Sequence, residues 1–372
     1  MKRILKWIFR VVLVLLVLAF LFVFVAYWRS TNDCDRKSAA APTNPMKAIV
    51  HCDYGLANLK LEDIEKPVPA DDQILVKVHA VSVNPYDWHF VEGTPYVMRG
   101  IGVGLRKPKE IRLGVDFAGT VEAVGKNVSQ FKPGDDVFGG REGAFAQYVC
   151  RRAVGSVALK PAGLTFEQAA SINIAGITAL QGVRDKGKVQ PGQRVLINGA
   201  SGGVGTFAVQ LAKNFGAEVT GVCSTRNVEL VQSLGADHVI DYTKEAFTKG
   251  DQHYDVILDN VANHSLSECR RVLTPNGIYV MIGGGGVNEQ GLVGALGKAL
   301  KAALFSKFVS QKMGMMMADP STKDLTLLAD MMQSGKIKPV IDRTYKSLSE
   351  VPEAIRYLEE GHARGKVVIT VE

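Results

Sequence analysis

The chain lacks the cysteine spacing that a redox or zinc-ribbon element requires. Its five cysteines (Cys34, Cys52, Cys150, Cys223 and Cys269) never lie closer than 18 residues apart. That excludes a C-x-x-C element, and an odd, scattered set is a poor disulfide framework. The expectation is therefore small, buried, apolar side chains. Internal repeats and low-complexity stretches are also missing. With 47% apolar and 22% charged residues among 372, the composition is globular rather than disordered or collagen-like. A basic body is missing too. The net charge is +7, but residues 1–45 hold seven Lys/Arg against two Asp/Glu and contribute +5, leaving +2 for the other 327 residues. A phosphate-backbone binder needs a basic face, so no nucleic-acid partner is expected.

Residues Val11 to Tyr27 form 17 residues without a charge. As a helix at about 1.5 Å per residue they would reach roughly 25 Å, slightly under the ~30 Å hydrocarbon core. Ile8 and Phe9 extend the run if Arg10 snorkels, and Trp7, Tyr27 and Trp28 sit where interfacial aromatics belong. The run exceeds a usual signal-peptide core, and no small-x-small cleavage site follows it directly. Residues 1–45 are thus expected to form one N-terminal transmembrane helix, an uncleaved single-pass anchor, with Ser30 to Pro45 as a flexible tether.

The body divides by pattern. From Met46 to about Val157, short alternating strands such as Ile74 to Ala80 are punctuated by Asn84-Pro85, Pro133-Gly134 and Gly139-Gly140, which fits a small, partly closed barrel. Near Gly163 the register changes. Thr165-Phe-Glu-Gln168 is a capping box that opens a helix. Strands at Arg194–Asn198, Glu218–Cys223, Val239–Ile240, Asp255–Asp259 and Ile278–Ile282 then alternate with helices. This order predicts an α/β protein with a doubly wound parallel sheet. Residues 46–165 and 337–372 are expected to form the first domain, the last strand returning to it, and residues 166–336 the second.

The strongest chemical signal is Asn198-Gly-Ala-Ser-Gly-Gly-Val-Gly205 between a strand and a helix. Aligned on its last glycine it reads Ala200-x-Gly202-x-x-Gly205, with Ser201 between the first two. Gly202 would let the backbone approach a pyrophosphate, and Gly205 would allow close helix–strand packing. The amides of Gly203 and Val204 open the helix at the positive end of its dipole. An NAD site wants an acid about 20 residues on for the ribose hydroxyls. Here the strand ends in Val222-Cys-Ser-Thr-Arg-Asn227, without one. Ser224, Thr225 and Arg226 suit a 2′-phosphate instead, and Tyr242 can close over it. NADPH is therefore the expected coenzyme. Because NADPH is a cytosolic metabolite, the body is expected on the cytoplasmic side, although Lys2, Arg3, Lys6 and Arg10 against Arg29, Arg36 and Lys37 lean weakly the other way.

The sequence resembles the medium-chain dehydrogenase/reductase superfamily in its zinc-free quinone oxidoreductase branch, and is similar to the subgroup of mitochondrial reticulon-interacting quinone reductases. The resemblance rests on Val83-Asn-Pro-Tyr-Asp87, Leu113-Gly-Val-Asp-Phe-Ala-Gly119, Gln130-Phe-Lys-Pro-Gly-Asp135, Gly176-Ile-Thr-Ala179, the glycine loop and Gly361-His-Ala-Arg-Gly-Lys-Val-Val368. It implies a GroES-like β-barrel catalytic domain beside a Rossmann domain. Zinc-dependent relatives place a Cys ligand where Asn84 or Pro85 stands and a His-Glu pair where Val115-Asp116 stands, so no metal is expected. Without a Lewis acid the hydride acceptor must already be electrophilic, as quinones and α,β-unsaturated carbonyls are.

Candidates for that chemistry are Asn84 as a positioning donor and Tyr86 as a wall or donor. Tyr96 is either a proton donor, close to where enoyl reductases of the superfamily keep a tyrosine, or a structural aromatic. Asp116 is expected to be structural. The resemblance puts Thr178 by the nicotinamide, Asn260 at a strand end over the cofactor and Gly283 beside the ribose or nicotinamide. Arg364, Gly365 and Lys366 would close the cleft. Residues Met98 to Arg112 and Val287 to Met317 read as substrate-side loops. In the second, Leu292, Leu296, Leu300 and Leu304 form an amphipathic stripe, either buried on its own protein, at a homodimer contact or on a membrane surface. The function expected is a zinc-independent NADPH reductase of quinones or enones. The alternatives are a non-catalytic NADPH-binding assembly module and, less favoured, an alcohol dehydrogenase.

Overall fold

The computed structural model describes residues 7, 9–14, 17, 21, 24, 25, 27–36, 41–140, 142–283, 294–306 and 309–371. Two large sheets organise the body. The first is antiparallel apart from one edge pair and has seven strands on its main path and branch, with the long strand β3 (Gln73–Val83) near its centre. Around it lie β4 (Asp116–Val124), β5 (Asp136–Gly140), β6 (Tyr148–Arg152), β7 (Val157–Leu159) and β14 (Ile341–Tyr345). The last strand, β15 (Lys366–Thr370), crosses the length of the chain to pair antiparallel with β3, Val367 opposite Val83. Strands β1 (Pro45–His51) and β2 (Leu59–Glu65) form a separate antiparallel pair.

The second sheet is parallel, in the order β10-β9-β8-β11-β12-β13. Its strands are β8 (Arg194–Asn198), β9 (Glu218–Cys223), β10 (His238–Asp241), β11 (Tyr254–Asp259), β12 (Leu273–Met281) and β13 (Lys312–Met315). Helices cover its faces, so its central strands are apolar on both sides: Val195, Leu196 and Ile197 are all fully buried. Such a run reads as continuous rather than alternating hydrophobicity. The order reverses direction at β8, where the chain leaves toward β9 on one side and β11 on the other. A crevice opens at the carboxyl ends of the strands at such a switch point. The Thr165 capping box closes as the sequence expects, Thr165 Oγ1 accepting from the Gln168 amide at 3.2 Å.

The two halves share a core. One apolar cluster runs from Val195, Ile197 and Leu258 through Leu180 and Phe207 to Ala118, Phe138 and Val368 of the antiparallel sheet. Burying one such Leu or Phe stabilises by about 1.5–3 kcal/mol. The helix Asn173–Gln181 lies between the sheets in this cluster and is buried almost throughout.

Three expectations are corrected at the N-terminus. Among the described residues no helix is long and apolar enough to cross a membrane. A span needs about 20 apolar residues in one unbroken helix. An apolar run meets only the compositional half of that requirement, and no described helix supplies the other half. The N-terminal transmembrane helix, the single-pass membrane localisation and the membrane as a partner are thereby overturned, and the argument over which side the body faces falls with them. The tether is also not free. Asp33–Arg36 forms a 3₁₀ turn, the Asn32 side chain donates to the Cys52 carbonyl at 2.7 Å, and Asp35 pairs with Lys107. That ammonium holds the Asp35 carboxyl below its usual range. Finally, Cys34 and Cys52 form a disulfide, which a scattered set of cysteines gave no reason to expect. Their pairing depends on β1 returning Cys52 to the turn, a relation in space rather than in spacing. Cys223 and Cys269 are buried and Cys150 half-buried, all three free.

Candidate functional site

The crevice at the switch point is built by glycines. Strand β8 ends at Asn198, and Gly199 turns the chain at φ +76°. The Ala200 amide donates back to the Val222 carbonyl at 3.0 Å, fixing the loop on β9. Gly202 caps the helix Gly203–Asn214 in extended conformation. A Cβ on Gly205 would lie 2.1 Å from the Gly199 carbonyl oxygen, so the close packing expected there admits no side chain. The first amides of that helix, those of Gly203 and Val204, have no carbonyl one turn earlier to bind. They form an N-terminus suited to an anion.

Around this loop lie the other expected residues. The backbones of Gly202 and Gly365 form a parallel bridge between the halves. A Cβ on Gly203 would touch the Lys366 stem at 3.1 Å. At the end of β9, the Asn227 side chain donates to Ser201 Oγ at 3.0 Å and Ser224 Oγ at 3.2 Å, so one amide joins the glycine loop to the ribose side. Arg226 Nη2 donates to the His362 carbonyl at 2.6 Å, beside Arg364, while Tyr242 is exposed. The sequence reading found no acid after the second strand. The structure brings one from the third. Asp241, at the end of β10, accepts from Thr225 Oγ1 at 2.5 Å and pairs with Lys244 at 3.1 Å. Those partners, Thr225 first, hold its carboxyl well below the ordinary range.

On the other side of the crevice, the Asn260 amide donates to the Asn198 carbonyl at 2.9 Å. Gly283 packs so closely that a Cβ there would lie 1.9 Å from the Asn260 carbonyl oxygen. Asp259, which sequence reasoning passed over, arranges this corner. It accepts from Asn198 Nδ2 at 2.9 Å, Tyr279 Oη at 2.8 Å and the Ala262 amide at 2.7 Å. Gly284 to Gly286 and Leu292 lie outside the described residues. Thr178 lies, nearly buried, on the helix Asn173–Gln181.

A dinucleotide fits what is left open. Two buried amide oxygens, Asn227 Oδ1 and Asn260 Oδ1, have no protein partner, and buried polar atoms are rarely left so. Asn227 is bonded to Ser201 of the glycine loop and Asn260 to Asn198 at its start. A cavity of about 580 Å³ exists elsewhere, against Phe131, Leu159, Pro161 and Thr322, and shares no residue with this loop.

The barrel-side candidates are arranged differently from the expectation. Asn84 is buried, and its Nδ2 donates to Asp116 Oδ2 at 2.9 Å and the Ser82 carbonyl at 3.3 Å. Its Oδ1 accepts from Lys366 Nζ at 2.5 Å. Both amide hydrogens are thus engaged within the protein. Lys366, expected at the coenzyme, points its ammonium away from the glycine loop into the barrel, and only its stem and backbone face that loop. Tyr86 is half-buried, stacked on Phe90 at 4.3 Å, with Oη 3.4 Å from Glu142. Tyr96 is exposed, with the Arg99 guanidinium 5.0 Å from its ring. His89 binds the Thr94 carbonyl at 2.8 Å, and burial lowers its pKa. Among the described residues no group of three or more His, Cys, Asp or Glu side chains is placed to hold a metal ion.

Comparison with known proteins agrees with this architecture. Residues 70–162 match the alcohol dehydrogenase GroES-like domain and residues 234–369 the zinc-binding dehydrogenase family. The chain is 37% identical to the bovine (Bos taurus) mitochondrial NAD(P)H oxidoreductase RTN4IP1, over 93% of this chain and 96% of that protein. It is 34% identical to the trans-enoyl reductase pgmF of Aspergillus terreus, over 85% and 92%. Among solved structures, the quinone oxidoreductase from Coxiella burnetii superposes with a TM-score of 0.78 at 30% identity, covering 88% of this chain and all of that one. The glycine-built crevice, the barrel closed by the last strand and these relatives together make the chain an oxidoreductase that uses a nicotinamide dinucleotide, a member of the medium-chain dehydrogenase/reductase superfamily.

Proposed function

We propose that this oxidoreductase uses NADPH to reduce quinones or α,β-unsaturated carbonyls without a metal. The observation that carries the coenzyme choice is the end of β9. Ser224 and Arg226 stand there, and the neighbouring acid, Asp241, is already held by Thr225, Thr243 and Lys244. A carboxylate so engaged faces its own cations and hydroxyls, which leaves the Arg226 guanidinium to attract a 2′-phosphate. Tyr242 and Thr225 flank the same place, Arg364 comes from the C-terminal side, and the amides of Gly203 and Val204 face the diphosphate. Asn260 Oδ1 is an unpartnered acceptor for an amide donor at the nicotinamide end, beside Gly283.

NADPH, when bound there, supplies a hydride to an electrophilic carbon. The chain's task is then to orient the acceptor and hold the negative charge that develops on its oxygen. The hydroxyl of Tyr86 is the donor proposed for that oxygen, which would take the place of its long 3.4 Å contact to Glu142. The exposed Tyr96 is the proposed proton source. Asn84, whose amide hydrogens are already engaged at Ser82 and Asp116, serves by ordering the barrel side rather than as a donor to substrate. The relatives' names, trans-enoyl reductase and quinone oxidoreductase, support this acceptor class.

The test is NADPH oxidation, followed at the coenzyme's absorbance, with a panel of benzoquinones and 2-alkenals, with NADH run in parallel. Oxidation of NADPH well ahead of NADH by at least one acceptor is expected. Tight NADPH binding with no oxidation by any of them would instead make the chain a coenzyme-binding module.

A further inference from the structure

Asp116 is completely buried, yet its carboxylate collects five donors from three parts of the chain. Oδ2 accepts from Ser82 Oγ at 2.8 Å, Asn84 Nδ2 at 2.9 Å and Lys366 Nζ at 3.3 Å. Oδ1 accepts from Asn173 Nδ2 at 2.9 Å and the Ile174 amide at 3.1 Å. Lys366 is buried with it, 3% exposed against 0%. Removing two charges from water is costly, and an apolar pair of the same volume is often as stable. Such a pair is best accounted for by the arrangement it imposes.

That arrangement converges on the crevice. Asn173 and Ile174 begin the helix that carries Thr178. Lys366 follows Gly365, whose backbone meets Gly202 of the phosphate-facing loop. The Lys366 amide is held by the Val340 carbonyl at 2.8 Å. Gly365 is turned at φ +103° so tightly that a Cβ would lie 2.3 Å from the Val340 oxygen. The segment therefore has little freedom except through the direction of the Lys366 side chain. The Lys366 side chain ties the segment that forms the Gly365–Gly202 bridge to Asn84 and Asp116.

We infer that Asp116 is a positioning residue for the coenzyme. Through Lys366 it sets the height of the C-terminal strand over the glycine loop, and through Asn173 and Ile174 it sets the helix beneath the nicotinamide end. The inference rests on the NADPH reading of the site. It concerns the diphosphate and nicotinamide end, not the adenosine end held at Ser224 and Arg226, and this division makes it testable.

The experiment measures dissociation constants of NADPH and of adenosine 2′-monophosphate, which lacks both phosphates of the diphosphate and occupies the adenosine end alone. It uses the full chain, its Asp116→Asn variant and the Asp116→Asn/Lys366→Met double variant, with melting temperatures alongside. The double variant removes both buried charges and is expected to melt near the wild type, which keeps the test open if Asp116→Asn alone does not fold. NADPH is expected to bind at least tenfold more weakly to either variant, while the 2′-monophosphate stays within threefold of the wild type. NADPH binding within threefold in a folded variant overturns the inference. Parallel weakening of both ligands also overturns it, because that is the signature of a merely structural residue. If the wild type binds neither ligand, the NADPH reading falls and this inference with it.

Discussion

The backbone amide of Asn84 donates to Asp87 Oδ2 at 2.8 Å, while the other oxygen of that buried carboxyl has no partner. Burial, more than any neighbour, pushes Asp87 from the ordinary 3.8 up to about 7, with Asp116 adding to the shift and the Asn84 amide opposing it. The unfolded chain releases this proton near 3.8 and the folded chain near 7. Between those values the unfolded state binds fewer protons, so stability falls as pH rises through the window and is flat above it, a loss of about 4 kcal/mol. His51 has the opposite sign. Burial takes it from 6.5 to about 4, so it costs stability as pH falls through that range. In urea unfolding, Asp87→Asn is expected to gain on the wild type steadily from pH 4 to 7 and to hold a constant advantage above. An unchanged difference across that range would show that the proton is not held there.

The disulfide between Cys34 and Cys52 closes a separation of 18 residues. In the chain-entropy account a loop of that length contributes about 3 kcal/mol. Denatured without reductant, the protein is expected to titrate three thiols, and five after reduction, since the other three cysteines are free. The Cys34→Ser/Cys52→Ser variant is expected to lose roughly that stability and to become susceptible to proteolysis between residues 29 and 36. The Lys107–Asp35 pair and the Asn32 hydrogen bond to Cys52 are then left to tie that turn to the body among the described contacts, with Arg106 against the Trp28 ring. Five thiols in the unreduced protein would remove the bridge from the account.

Two neighbouring glycines separate folding from binding. A Cβ on Gly205 would meet the Gly199 oxygen at 2.1 Å, whereas one on Gly202 would meet nothing nearer than 3.6 Å. Gly205→Ala must open the loop, so a lowered melting temperature and lost NADPH binding are expected together. Gly202→Ala is expected to melt within a few degrees of the wild type, about 1 kcal/mol at most, yet to bind NADPH at least tenfold more weakly. In the proposed site its methyl group would stand where the backbone approaches the diphosphate. Equal behaviour of the two variants would show that Gly202 does not face the ligand.

Much of this was legible in the sequence because it is local. Strand–helix alternation, the Thr165 capping box and the glycine loop are patterns of neighbouring residues, and the structure realises each. The relations that were not legible are those between distant segments. Asp241 reaches Thr225 only because β10 lies beside β9, and Cys34 reaches Cys52 only because β1 turns back to the 3₁₀ turn. Lys366 finds Asn84 and Asp116 only because the last strand pairs with β3. The anchor failed for a related reason. Hydropathy describes composition along the chain, whereas crossing a membrane is a property of a continuous helix, and no described helix has that length and apolarity.

Arg226 tests the coenzyme choice most directly, because its guanidinium has two uses. It donates to the His362 carbonyl at 2.6 Å, tying the Rossmann half to the C-terminal loop, and in the proposed NADPH site it is the cation that meets the 2′-phosphate. If the first use dominated, Arg226→Gln would weaken NADPH and NADH alike by loosening the loop. If the second dominates, only the phosphorylated coenzyme loses a charge-assisted bond, and such bonds contribute about 1.5–3 kcal/mol. The KM for NADPH is therefore expected to rise roughly ten- to hundredfold, with NADH unchanged within twofold. Lysine is not an adequate substitute, since it cannot span both partners with a planar fork, so Arg226→Lys is expected to recover only part of the loss. The wild-type preference should also weaken as salt is raised, because the site is open to solvent and the attraction is screened. Equal losses for both coenzymes, or a salt-independent preference, would assign Arg226 to the loop alone.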